Sequence, residues 1–296
     1  MKKVAIIGSK GFIGKHLDWY LRTKMNIVAD CYDIHRIDEP NYQMVDMSSK
    51  ESVERINLNV DYIFYMVGMT GTKIGFYAYE DFLDINELSL LNLLDVISKS
   101  RYRPKVVFPS SRLVYKGLDK ALKEDDAYDT KTVYAVNKLA CEGYLKAYGN
   151  YFDIPYTIFR LCVPYGNMLD NDYSFGTIGF FIKMAKEGKN ITLYGDGTMK
   201  RTFTHFEDLC YQMIYGTFNP KSDNMVFNVG GETSSLDNVA YLIAKKYGVE
   251  VVHVPWPKDD LRIESGHTYF DDMRIQNLLG GYSYKHSLNE IEIQKI

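Results

Sequence analysis

The first fourteen residues constrain the fold more than any other stretch of this chain. Val4-Ala5-Ile6-Ile7 is a short apolar run of the kind a buried strand uses. It leads directly into Gly8-Ser9-Lys10-Gly11-Phe12-Ile13-Gly14, and the spacing beyond predicts a helix over residues 12–24. Strand, glycine-rich turn and helix N-terminus together make a seat for phosphate. Glycines let the chain turn tightly and let backbone approach the ligand, while the first helical N–H groups have no partner within the helix. The spacing is GxxGxxG rather than GxGxxG, and three glycines in a loop also fit plain turn chemistry. The N-terminus begins like a signal peptide, but its apolar run is too short and meets glycine where it should continue.

Apolar runs alternate with helical patterns through the first half. Strands are expected over 27–32, 62–67, 105–110 and 156–161, with helices over 79–100 and 132–148. Ser48 and Glu51 have capping-box spacing ahead of another short helix. Strands separated by helices imply parallel pairing with right-handed crossovers, hence an α/β doubly wound sheet. After Val163 the rhythm loosens, and Pro164, Gly166, Asn167, Asp170 and Asn171 mark a loop. Beyond it, short segments at 191–194, 206–218 and 225–229 precede a helix over 236–246, for which Ser234 and Asp237 have capping-box spacing. The expected division is a dinucleotide-binding unit over 1–163, to which later segments return, and a smaller α/β lobe over most of 164–296.

Composition narrows the partners. Lys plus Arg number 35 against 38 Asp plus Glu, a net charge of −3 without basic blocks, which speaks against nucleic acid and anionic membranes. No apolar stretch has the length of a membrane span. Cys31, Cys141, Cys162 and Cys210 are far apart and form no CxxC pair, so reduced thiols, no metal and a cytoplasmic location are expected. The 25 tyrosines read as packing residues and by themselves say nothing of catalysis.

Asp33 gives the glycine turn a ligand. It ends the second strand, where a carboxylate accepts hydrogen bonds from adenosine ribose hydroxyls and so favours NAD over NADP. Arg36, three residues on, could instead meet a 2′-phosphate, and equally reads as a solvated loop residue. Asp46 could bond the adenine amino group or cap the helix near Ser48. Gly68, after Met66 and Val67, ends the fourth strand on the edge where open α/β sheets bind ligands. Phe12, Ile13, Met47, Met66, Val67 and Ser110 complete the candidate cofactor contacts beside Gly8, Gly11 and Gly14.

Tyr134 and Lys138 form a YxxxK pair on one helix face. A neighbouring ammonium favours the phenolate and would bring the tyrosine below its free pKa of roughly 10, towards acid/base work near neutrality. Among so many tyrosines, the pair alone also fits a ring packed under a lysine stem. Ser110 and Ser111 end the fifth strand on the glycine-turn edge, where a hydroxyl can bind an oxygen that gains or loses a proton.

With these motifs in order, the chain resembles the extended short-chain dehydrogenase/reductases, specifically the nucleotide-sugar epimerase and dehydratase group. The glycine turn, Ser110-Ser111-Arg112-Leu113-Val114-Tyr115 and YxxxK match the first half of that family. Arg160-Leu161-Cys162-Val163-Pro164-Tyr165-Gly166, the Arg201 to Asp208 segment and Phe227-Asn228-Val229-Gly230 match the second. The resemblance implies a Rossmann-type fold, bound NAD and a nucleotide-diphosphate sugar. It implies Tyr134 as acid/base, Lys138 on the nicotinamide ribose and Ser111 on the sugar oxygen, with oxidation at sugar C4. The family's 4,6-dehydratases carry an acid pair after the serine-equivalent residue; Arg112 and Leu113 stand here, which disfavours dehydration. A 4-epimerase of UDP-hexose type is preferred, with an NAD(P)H-dependent 4-ketoreductase as the alternative. A dinucleotide-binding protein without turnover is disfavoured, because Tyr134 and Lys138 are both present. Val163 replaces the asparagine that often helps hold the diphosphate in the family. Arg201 and Arg262 become candidates for that contact, Arg112 joins Ser111 and Tyr134 as a substrate contact, and His205 is expected to fix its loop. The family commonly dimerises through the helices corresponding to 79–100 and 132–148, so a homodimer is expected.

Overall fold

The computed structural model describes residues 2–169 and 176–291. Its strands are β1 (Val4–Ile7), β2 (Asp30–Asp33), β3 (Tyr42–Met44), β4 (Tyr62–Tyr65), β5 (Lys105–Ser111), β6 (Tyr156–Leu161), β7 (Val163–Tyr165), β8 (Ile191–Tyr194), β9 (Lys200–His205), β10 (Met225–Asn228), β11 (Glu232–Ser235) and β12 (Val251–Val254). Its α-helices are α1 (Phe12–Met25), α2 (Lys50–Val53), α3 (Tyr79–Leu83), α4 (Ser89–Lys99), α5 (Val133–Phe152), α6 (Gly176–Lys186), α7 (Phe206–Phe218), α8 (Leu236–Tyr247), α9 (Lys258–Ile263) and α10 (Met273–Leu279).

Seven strands form one parallel sheet in the order β10-β6-β5-β4-β1-β2-β3. The order reverses between β1 and β4, and such a switch point leaves a crevice at the strands' carboxyl ends. The two-residue period of β1 divides its side chains between two cores. Val4 and Ile6 pack with Leu17 and Leu21 of α1 and with Leu209 and Met213 of α7. Ala5 and Ile7 pack with Leu90, Leu93 and Leu94 of α4 and with Cys141 and Leu145 of α5. A third cluster joins Val163, Tyr165, Ile178, Phe181, Leu193, Phe203 and Ile243 around β7, β9 and helices α6 and α8. Two later segments lie on the first sheet, β10 as a strand on β6 and α7 against α1. Among the described residues no helix is long and apolar enough to cross a membrane.

Several expected boundaries move for identifiable reasons. The second strand begins at Asp30 rather than residue 27, because Asn26 takes a left-handed conformation and Ile27 donates back to the Leu21 carbonyl to close α1. Ser49, not Ser48, caps α2, since Ser48 sits in a turn donating to Asp46 Oδ1. Ser235, not Ser234, caps α8. The fourth ladder stops at Tyr65, and α5 runs on to Phe152. The helix expected over 79–100 carries a π-helical turn, Asp84–Leu88, at its middle. Asp170 and Asn171 lie outside the described residues.

Arg160 of β6, fully buried, ties the sheet to its surroundings. It makes two bonds to Glu142 of α5, at 2.9 and 2.7 Å, and reaches the Tyr115 and Tyr128 hydroxyls and the Glu124 carbonyl. Tyr115 passes the network on to Asn228 of β10. A buried guanidinium with every neighbour an acceptor is stable only as a complete set.

Candidate active site

The glycine turn is built from close approaches. Gly8 has φ +82°, and a Cβ on it would stand 2.8 Å from the Met66 carbonyl carbon. A Cβ on Gly14 would stand 2.2 Å from the Gly8 oxygen. Gly11 precedes α1 without a side-chain cap, leaving the helix's first N–H groups at the mouth of the turn. These features fit a dinucleotide pyrophosphate.

Two clefts open from this turn, of about 390 and about 440 Å³, and both are lined by Met66, Val67 and Gly68. They form one groove along the carboxyl edge of the sheet. The first holds Gly8, Gly11, Asp33, Asp46 and Met47. Asp33 accepts the Lys10 and Ile34 N–H groups, both at 2.8 Å, so it anchors the turn while lining the cleft. Arg36 is exposed and does not line the groove. Phe12 also stays off it: its ring packs 4.8 Å from that of Phe206.

The second cleft gathers Ile13, Ser111, Arg112, Tyr134 and Lys138. Thr132 caps α5 by accepting the Ala135 N–H, which fixes the turn carrying Tyr134. Lys138 Nζ donates to the Pro109 carbonyl at 2.8 Å and lies 4.5 Å from the Phe108 ring centre and 5.7 Å from that of Tyr134. Burial pushes its ammonium down to about 8. Burial likewise pushes the Tyr134 phenol up to about 12, against the Ser111 hydrogen bond and the Arg112 charge, which both favour phenolate. This corrects the expectation that Lys138 depresses the phenol. The ammonium is held on the Pro109 carbonyl, 5.7 Å from the Tyr134 ring centre, and the Arg112 charge also favours the phenolate.

Ser110 and Ser111 separate cleanly. Ser111 Oγ accepts the Leu113 N–H and faces Tyr134, whereas the Ser110 hydroxyl donates to Glu142 Oε1 at 2.6 Å inside the Arg160 network. Ser110 lines the same cleft, with its hydroxyl committed to Glu142. Arg201 is not brought to the groove. It is 2 % exposed, paired with Glu264 at 2.8 Å and bonded to the Lys200 and Gly266 carbonyls. Its guanidinium is consumed within the fold, which removes it from the candidate diphosphate contacts. Arg262 sits exposed on α9, away from the cleft. His205 caps α7 by accepting the Glu207 N–H and stacks 3.6 Å from His286.

Sequence reasoning missed two contributors. Asn86, on the π-helical turn, accepts the Met69 N–H at 2.7 Å and donates to the Met69 carbonyl, pinning the chain just after Gly68. A Cβ on Gly68 would come within 3.1 Å of its Oδ1. π-Turns recur at functional sites because one extra residue re-aims the side chains; nothing in the residue types announces this one. Thr70, Gly71 and Thr72 line the second cleft, and their glycine-threonine run directly after a strand end was a readable signal. Among the described residues, no Asp or Glu lines this cleft.

Residues 4–230 match the model of the NAD dependent epimerase/dehydratase family. The chain belongs to this family, and is an NAD-dependent enzyme of the nucleotide-sugar epimerase, decarboxylase and dehydratase group. It is 28% identical to a UDP-N-acetyl-alpha-D-glucosaminuronate decarboxylase of Bacillus cytotoxicus, over 87% of this chain and 84% of the relative. It is 23% identical to a UDP-glucuronate 4-epimerase of Thermodesulfobacterium geofontis, over 93% and 89%. Its fold matches that of the UDP-glucuronic acid 4-epimerase of Bacillus cereus, solved with UDP-glucuronic acid and NAD, with a TM-score of 0.83 at 21% identity over 97% and 96% of the two chains.

Proposed function

We propose that the chain is a 4-epimerase of nucleotide-diphosphate hexoses of the UDP type. The observation that carries the reading is the meeting of Ser111, Tyr134 and Lys138 in a groove continuous with the glycine turn, where among the described residues no carboxylate lines the cleft wall to drive water loss. Asp33 holds the adenosine ribose, and Lys138, fixed by Pro109, holds the nicotinamide ribose. Bound NAD supplies the acceptor and donor of hydride. Ser111 and Tyr134 bind the C4 hydroxyl, and Tyr134 takes its proton and later returns it. Arg112 and Ser111 favour the phenolate against the burial that pushes Tyr134 up to about 12, so the phenol gives up its proton only as the C4 hydroxyl and NAD complete the site. Arg36 is exposed off the groove, and Asp33 on its wall supports NAD over NADP.

The cluster around β7, β9, α6 and α8 serves as the substrate lobe. Leu83, Leu88 and Val136 are exposed on the helices expected to pair, which supports a homodimer through them. The four cysteines are free thiols, in keeping with a cytoplasmic enzyme.

Conversion of UDP-hexoses by the purified protein, without added nucleotide, tests the reading. The parent is expected to form the 4-epimer with its retained NAD, and Tyr134→Phe to be slower by roughly 10²–10⁴-fold. Equal rates would rule out the mechanism. Single-pass reduction that requires added NADPH would make the chain a 4-ketoreductase.

A further inference from the structure

Arg112 is the one residue of the cleft whose charge the reaction above does not fully use. It directly follows Ser111 and sits partly buried on the cleft wall. Its Nη1 donates to Ser265 Oγ at 3.1 Å and Thr268 Oγ1 at 2.9 Å. Both hydroxyls belong to buried residues on the segment that follows α9, so the guanidinium is held in place by neutral acceptors. Among the described residues Arg112 has no ion-pair partner, and no acidic side chain shares its cleft.

The contrast with Arg201 sharpens the point. The two guanidinium groups are close enough that Arg112 helps push Arg201 down to about 10, after burial. Arg201 is neutralised by Glu264; Arg112 is not. A fixed cation without a counter-charge on a half-enclosed wall disfavours neutral ligands and favours an anion. Free N–H groups of its planar fork match a carboxylate, which accepts two parallel bonds.

Position decides which anion. Arg112 directly follows Ser111 and shares the cleft wall with Tyr134 and Cys162, at the reacting end. A cation on that wall lies beside the sugar ring. The diphosphate must extend away from the reacting carbon.

We propose that Arg112 binds a carboxylate carried by the hexose, so that the substrate is a nucleotide-diphosphate uronate rather than a neutral nucleotide-hexose. This rests on the nucleotide-sugar reading given above and names the substrate class of that same site. Arg112 touches the substituent and leaves the proton transfer to Tyr134.

The test is calorimetric, so that it does not depend on turnover. UDP, UDP-glucose and UDP-glucuronate are titrated into NAD-loaded full-length protein in the Tyr134→Phe background, with Arg112, Arg112→Gln or Arg112→Lys. With Arg112, UDP-glucuronate is expected to bind about 10–100-fold more tightly than UDP-glucose, the worth of a charge-assisted pair. Arg112→Gln is expected to bring that ratio to within about three-fold of unity, and Arg112→Lys to restore part of it. A ratio near unity with Arg112 present would overturn the proposal. So would equal weakening of UDP, UDP-glucose and UDP-glucuronate by Arg112→Gln, which would place the guanidinium on the diphosphate or in the scaffold. If none of the three ligands binds, the nucleotide-sugar reading itself fails and this inference falls with it.

Discussion

Replacing Lys138 by methionine should stabilise the fold at neutral pH while removing turnover. Lys138 is buried, and its ammonium titrates at about 8 instead of 10.5. At 1.36 kcal/mol per pKa unit, keeping the charged form in place costs the fold roughly 3 kcal/mol. The folded protein releases this proton near pH 8 and the unfolded chain only near 10.5, so between them the unfolded chain binds more protons. Stability therefore rises with pH across that window, and the cost is fully present below it. Methionine follows the lysine stem and carries no charge, but leaves the Pro109 carbonyl without its ammonium partner, a loss of about 1–2 kcal/mol. The net gain near pH 7 is about 1–2 kcal/mol. Urea denaturation of nucleotide-free parent and variant, near pH 7 and near pH 10, measures it. The variant should be the more stable near neutrality, and its advantage should shrink by roughly 2 kcal/mol at the higher pH. A variant less stable than the parent near pH 7, or a difference that ignores pH, would refute the reasoning.

Three further outcomes follow from the packing. Glu142→Gln leaves the fully buried Arg160 without its counter-charge and should lower stability by about 3–5 kcal/mol in the same denaturation assay; a loss under about 1 kcal/mol would contradict the clamp. Burial holds the His205 imidazole down to about 3, so the folded state stays neutral while the unfolded chain protonates near 6.5, and stability falls as pH drops through that range. His205→Asn keeps a helix-capping side chain but cannot titrate, so its melting temperature should fall less than the parent's on acidification; parallel falls would count against this. Leu88→Glu places a charge on the exposed apolar face of the helices proposed to pair and should yield a monomer by light scattering, whereas a monomeric parent, or a variant that remains dimeric, would remove the proposed interface.

The parts of the fold that local chemistry dictates were legible in the sequence. The strand, glycine turn and helix at the N-terminus depend on residues that touch one another along the chain, and Gly8, Gly11 and Gly14 form a turn of close backbone approaches ahead of α1. Ser111, Tyr134 and Lys138 were readable because a strand end and a helix turn fix their positions. Arginine roles were not readable. Where Arg112 and Arg201 point depends on Glu264, Ser265 and Thr268, which are distant from both in sequence. The pKa reading erred for a related reason. Spacing places Lys138 beside Tyr134, but only the packed structure shows that its ammonium turns to the Pro109 carbonyl and that burial dominates both groups. The π-turn around Asn86 leaves no mark in hydrophobic periodicity, since its neighbours stay helical on both sides.

In the proposed mechanism the C–H bond at sugar C4 breaks and re-forms within one active site. A nucleotide-diphosphate hexose carrying deuterium at C4, turned over by the NAD-retaining parent in ordinary water, tests it most directly. The 4-epimer should keep its deuterium at C4, and the labelled substrate should react more slowly than the unlabelled one. Loss of the deuterium to solvent, or retention at C4 with no change in rate from the label even in single-turnover measurements, would contradict the account.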